Sequence, residues 1–163
     1  LYIIFDGEVI SQPTCNETIN SPSCVIEGIS DLEMAERLAA EANTAEYGVL
    51  TVRLAFRYRA HIVRIVPHGV FYPPPEVDSA FLALEGRETP LAEEPILQLA
   101  SRLAGAAFAQ RRKQARRLLG AIAPEVDFAK ALEELGLPST ARAEVITPEQ
   151  YIQLARIVNG YHS

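Results

Sequence analysis

His61-Ile62-Val63-Arg64-Ile65-Val66-Pro67-His68-Gly69-Val70-Phe71-Tyr72-Pro73-Pro74-Pro75-Glu76-Val77-Asp78-Ser79-Ala80-Phe81-Leu82-Ala83-Leu84 decides the architecture. Its two ends, 61–66 and 79–84, are rich in Val, Ile, Leu and Phe and flanked by turn formers, which predicts strands. The middle cannot be regular structure, because Pro67, Gly69 and the prolines at 73–75 remove amide donors and fix φ. Just upstream, Val49–Phe56 has the same apolar, β-branched character. It predicts one more strand, joined to the first by a hairpin through residues 57–60. The β material ends near residue 85.

From Glu93 the pattern turns helical. Ile96, Leu97, Ala100, Leu103, Ala104, Ala107 and Phe108 keep a 3.6-residue period, and Gln110–Ile122 continues it with Ala115, Leu118, Leu119 and Ile122 apolar. Phe128–Leu135 predicts a further helix, stopped by Gly136 and Pro138. The last helix has Thr147 at the N-cap, Pro148 first and Gln150 third, and Gly160 is expected to end it. On the N-terminal side, Ser30 and Glu33 have capping-box spacing ahead of Leu32, Ala35, Leu38, Ala39 and Ala42. Leu1–Phe5 and Glu8–Ile10 predict a short pair of strands through an Asp6-Gly7 turn, and the polar residues to about 24 read as loop. The resulting fold class is α/β followed by all-α.

The formal charge of −6 argues against a nucleic-acid partner until its distribution is read. Residues 1–50 carry nine acids and one base, Arg37. Residues 51–67 hold Arg53, Arg57, Arg59 and Arg64, and residues 96–123 hold Arg102, Arg111, Arg112, Lys113, Arg116 and Arg117, with no acid in either stretch. Screening confines each charge to about 8–10 Å, so these basic islands act locally whatever the net charge. Two cysteines are too few for a disulfide scaffold, no His/Cys set completes a metal site, and no segment is built to span a membrane. A cytoplasmic setting is expected.

Two stretches carry chemistry. In Val70–Ser79 the prolines hold adjacent aromatics, Phe71 and Tyr72, on an extended loop, an arrangement suited to stacking on an unpaired base. A turn pinned to the core by those same aromatics has the same composition. In Ala107–Arg117, helical spacing sets Arg112 with Arg116 and Lys113 with Arg117 in parallel basic rows suited to a phosphate backbone. A solvated helix face fits these residues equally well. A third stretch, Ala141–Glu149, places Arg142 and Glu144 ahead of the capped helix and is read as a structural clamp.

Together with Glu33-Met34-Ala35-Glu36-Arg37-Leu38, Tyr47-Gly48-Val49-Leu50-Thr51-Val52 and Arg142-Ala143-Glu144-Val145-Ile146-Thr147, these stretches, in this order, resemble the C-terminal part of the ribosomal RNA adenine dimethyltransferase family. The likeness spans roughly residues 31–158. It implies transfer of methyl groups from S-adenosylmethionine to N6 of two adjacent adenines near the 3′ end of small-subunit rRNA. It also implies the tail of a Rossmann-like methyltransferase sheet in residues 31–88 and a small helical, rRNA-binding domain in 89–163, with 1–30 unassigned. In that scheme Phe71 stacks on the target base, Tyr72 and Pro73 shape its slot, and Arg111, Arg112, Lys113, Arg116 and Arg117 contact phosphates of small-subunit rRNA or of the small ribosomal subunit.

The departures matter. The family's Gly-rich donor loop, acidic ribose-binding residue and Asn-Leu-Pro-Tyr motif belong upstream of residue 31, and none is present here. Asn16–Pro22 only faintly echoes the last of these. Glu76 stands where the family usually has Lys, and Arg117 where it usually has Asn. An exocyclic amine is a poor nucleophile and must be held against the donor methyl. The chain alone is therefore expected not to catalyse. The alternative is a non-catalytic RNA- or ribosome-binding domain.

Overall fold

The computed structural model describes the backbone of residues 3–5, 8–11, 23–29 and 32–161, and side chains from 32 to 160. Strands β1 (Ile3–Phe5) and β2 (Glu8–Ser11) pair antiparallel, as the apolar run and its turn predict. A second sheet contains β3 (Ser23–Ile29), β4 (Tyr58–Val66) and β5 (Ser79–Gly86) in the order β3-β5-β4. The central β5 is antiparallel to both neighbours, so β3 and β4 run parallel to each other. The start of β3 lies in a stretch expected to be loop. The Ser30 cap and the Asn16–Pro22 echo fall outside the described residues.

Helices α1 (Leu32–Leu38) and α2 (Val49–Ala55) cover one face of this sheet. Ala35, Leu38 and Leu54 bury against Ala80, Leu82 and Leu84 of β5, with Tyr58, Ala60 and Ile62 of β4 packed at the margin. The period of two along both strands delivers these side chains to one face.

Residues 49–55 are a helix, not the expected strand, and the hairpin is β4–β5, joined by the proline loop. The reason is tertiary. Val49, Val52 and Phe56 recur at helical spacing and pack into the helical core, while Leu50 and Leu54, four apart, pack toward the sheet. A strand would put Val52 and Phe56 on the same face as Leu50 and Leu54, with Val49 on the other, and so could not serve two separate cores. Burial on two sides outweighs the few tenths of a kcal/mol by which β-branched residues disfavour a helix. Thr51, also buried, donates its hydroxyl to the carbonyl of Arg37 and ties α2 to the end of α1.

The remainder is helical: α3 (Glu94–Phe108), α4 (Ala115–Leu119), α5 (Phe128–Glu134) and α6 (Pro148–Tyr161). Their core holds Leu97, Leu103, Ala107, Leu119, Leu132, Ile146, Tyr151 and Leu154, with Tyr47, Val52 and Phe56 contributed from upstream. The α6 capping box is present: the Thr147 amide donates to Gln150 Oε1 at 2.9 Å, and the Gln150 amide to Thr147 Oγ1 at 3.3 Å. Asp127 caps α5 by accepting from the amides of Ala129 and Lys130. Gly136 follows α5 at φ +76°, a conformation other residues rarely adopt. Gly160 lies inside the last turn of α6 and does not end it.

The expected continuous helix through Gln110–Ile122 is broken. Residues 109–113 form a turn, and Gln114 is extended before α4 starts. Gln110–Gln114 contains no apolar side chain to hold it on the core, and the Ala115 amide is taken by the carbonyl of Ala141 at 2.8 Å. The clamp expected at 142–144 exists, but backbone carbonyls make it. Glu144 accepts from the Asn43 amide at 2.7 Å, Ala143 from the Tyr151 hydroxyl, and Ile146 from the Tyr47 hydroxyl.

Candidate nucleic-acid interface

The connection between β4 and β5 is closed at its neck by His68 and Asp78. The Asp78 carboxylate accepts from the His68 amide at 2.9 Å and sits 2.7 Å from His68 Nδ1. The Asp78 carbonyl also accepts from the Leu32 amide, which couples the neck to the start of α1. Beyond it, Tyr72 is fully exposed and Phe71 is 43% exposed. Among the described residues, the exposed large apolar side chains are Val63, Ile65, Val70, Phe71, Tyr72 and Val77, all on the end of β4 or on this loop. The aromatics therefore do not pin the loop to the core. Pro73 follows Tyr72 through a cis peptide and is itself exposed.

The His68 amide, and then its ring, hold the Asp78 carboxyl below the usual carboxylate range. A depressed folded value means that the stabilisation is present above the unfolded aspartate value of about 3.9 and is lost as pH falls through the lower, folded value. The expected result is a carboxyl-carbon NMR titration of Asp78 centred below an ordinary aspartate. Amide shifts of residues 68–72 should move with it, and Asp78→Asn should abolish that coupled movement.

The second element is the turn between α3 and α4 with the first residues of α4. Arg112 and Lys113 are exposed in the turn, and Arg117 is exposed on α4. The side chains of these three have no hydrogen-bond or ion-pair partner among the described residues. The parallel rows expected from helical spacing do not form, because 111–113 lie before the helix begins. Arg116 is half-buried, and its Nε donates to Gln114 Oε1 at 3.1 Å. Arg111 is turned onto its own chain. Its Nη2 donates to the carbonyls of Ala45 and Tyr47 at 3.0 and 2.9 Å, and the guanidinium lies 6.0 Å from the Phe108 ring centre. Sequence spacing gave no sign of this anchoring, which sets where the turn projects. The loop and the turn sit on separate elements with no hydrogen bond or ion pair between them.

Residues 22–160 match the family model described as ribosomal RNA adenine dimethylase. The chain belongs to this family. Among its ribosomal RNA adenine dimethylase relatives, a ribosomal RNA small subunit methyltransferase A of Synechocystis sp. is 42% identical over 130 residues, 77% of this chain and 44% of that protein. A protein of the same name from Paraburkholderia xenovorans is 37% identical over 154 residues, 91% of this chain and 53% of that one. The chain thus spans about half the length of the curated relatives it matches, and the matches fall in their C-terminal part. A solved 23S rRNA methyltransferase, ErmE, superposes with a TM-score of 0.61 at 26% identity, covering 84% of this chain and 54% of that one. A dimethyladenosine transferase from Plasmodium falciparum gives 0.66 at 20% identity, over 81% of this chain and 56% of its own, a likeness of fold. The proline loop and the 107–113 segment both lie inside the matched residues.

Among the described residues no three His, Cys, Asp or Glu side chains are grouped to hold a metal ion. No described helix is long and apolar enough to cross a membrane.

Proposed function

We propose that this chain is the RNA-gripping, C-terminal part of an enzyme that dimethylates adenines of small-subunit rRNA at N6. The observation that carries this reading is the display of Phe71 and Tyr72, exposed on a proline-stiffened loop with a closed neck, in a chain of the dimethylase family. A base-modifying enzyme has to take its target out of the stack and hold it in a slot, and an aromatic on a rigid loop does so at little entropic cost. Phe71 would stack on the adenine, with Tyr72 and Pro73 closing the slot. Arg112, Lys113, Arg116 and Arg117 would contact phosphates, and Arg111 would position them. Family membership favours this enzyme reading over a free-standing binding module.

The implied donor, S-adenosylmethionine, supplies the methyl group when bound. A donor of that kind is held where a strand passes through a tight glycine-rich turn into a helix. The direct passage from a strand into a helix, from β3 with Gly28 to α1, runs through residues 30 and 31, which lie outside the described residues. On this reading the described residues would supply base and phosphate contacts.

Calorimetry on the chain separates these roles. An rRNA fragment carrying unpaired adenines is expected to bind with an affinity that falls steeply with salt, as phosphate contacts require. S-adenosylmethionine alone is expected to give no saturable heat. Saturable donor binding would assign a donor seat to this stretch, and no RNA binding would overturn the proposal.

A further inference from the structure

The antiparallel packing of α2 against α3 leaves an open cleft of about 580 Å³ lined by Arg53, Arg57, Glu94, Gln98, Ser101 and Arg102 over a floor of Phe56 and Leu97. None of these arginines was singled out as a site residue by motif. Arg53 lies on α2 and Arg57 in the turn that follows it, and both line the cleft. The cleft is built and not merely charged. Arg53 Nη2 points at the carbonyl of Ser101, 3.5 Å away, and a Cβ at Gly105 would come within 3.3 Å of that nitrogen. Gly105 therefore leaves the room that Arg53 occupies. Arg57 pairs with Glu94, and Arg102 is exposed at the rim. Among the lining residues three guanidinium groups meet one carboxylate, that of Glu94, above an apolar floor of Phe56 and Leu97.

On the RNA-binding reading above, we propose that this cleft is a second seat for the RNA strand, holding a phosphodiester between Arg53, Arg57 and Arg102. Planar guanidinium forks match phosphate oxygens bidentately, and an anion held by several of them gains direction as well as charge. The volume suits a nucleotide-sized unit, so a sugar can rest on Phe56 and Leu97 while its phosphate meets the arginines. Burial pushes the Arg53 pKa down. Glu94 is the carboxylate among the lining residues that opposes the ligand, and its removal is the sharpest probe.

The test is salt-dependent binding of the rRNA fragment to the full chain carrying Arg102→Ala or, separately, Glu94→Gln. Arg102→Ala is expected to reduce by about threefold the affinity lost between about 50 and 200 mM salt, as for one phosphate contact removed. Glu94→Gln is expected to act in the opposite direction, with tighter binding and a steeper salt slope, because it frees Arg57 and removes a negative charge. Parental affinity and slope in both variants would overturn the second seat while leaving the RNA-binding reading intact. Weaker binding in both, tracking a fall in Tm, would mark a structural role and overturn it as well. If the parent chain binds no RNA, both readings fall.

Discussion

Replacing Arg112, Lys113 and Arg117 together with alanine is expected to weaken binding of the rRNA fragment on the order of 100-fold at about 0.1 M salt. The magnitude follows from counterion release. Each phosphate neutralised contributes a salt slope of about 0.7–0.9, or roughly five- to eightfold in affinity at that salt relative to about 1 M. Three contacts compound to that order. The same substitutions should leave the thermal transition almost unmoved. All three side chains are exposed and none carries a hydrogen bond or ion pair within the described residues. Arg111→Ala should behave in the opposite manner. It loses two hydrogen bonds to the carbonyls of Ala45 and Tyr47, so stability falls first and RNA affinity follows only as the turn loses its place. An RNA affinity unchanged in the triple variant would remove the turn from the interface.

The division of labour between Arg111 and its neighbours also marks where sequence reasoning stops. A capping box is local, and Thr147 with Gln150 could be read directly because both partners lie within three residues. The strands flanking the proline loop were legible from local composition, since Val, Ile, Leu and Phe fill both and turn formers bound them. The character of residues 49–55 was not, because their composition favours a strand and only two cores, formed by residues far along the chain, favour a helix. The break after Phe108 depends on one amide, that of Ala115, finding the carbonyl of Ala141. That partner is 26 residues away and no periodicity announces it. Of the candidate site, the residue types were legible and their roles were not. Five cations in a seven-residue stretch read alike, yet one is anchored on backbone carbonyls and another is held by Gln114.

Tyr47 is buried in the helical core, and Tyr47→Ala is expected to cost about 3–5 kcal/mol, the range for deleting a buried aromatic. Only 1% of it is exposed. Its ring meets Phe108 edge-on at 5.8 Å, its hydroxyl donates to the carbonyl of Ile146 at 2.9 Å, and its own carbonyl receives Arg111. A single side chain thus joins the segment entering α2, the end of α3 and the approach to α6. Tyr47→Phe keeps the ring and leaves one buried carbonyl without its donor, which should cost only about 1–2 kcal/mol in urea unfolding. The comparison separates packing from hydrogen bonding at one site. It also fixes an alkaline limit. Burial, and then the charge of Glu149, push the Tyr47 phenol far above its ordinary value of about 10, and burial does the same to Tyr151. Raised folded values mean that this stabilisation is complete below the unfolded value and is lost as pH climbs from there toward the folded ones. Unfolding free energy should therefore decline above about pH 10, and Tyr47→Phe should decline less steeply, because one of the two buried phenols that must stay neutral is gone. Equal slopes in the two proteins would show that the Tyr47 hydroxyl ionises as freely in the folded chain as in the unfolded one, and that its seat against Ile146 is not the buried contact described.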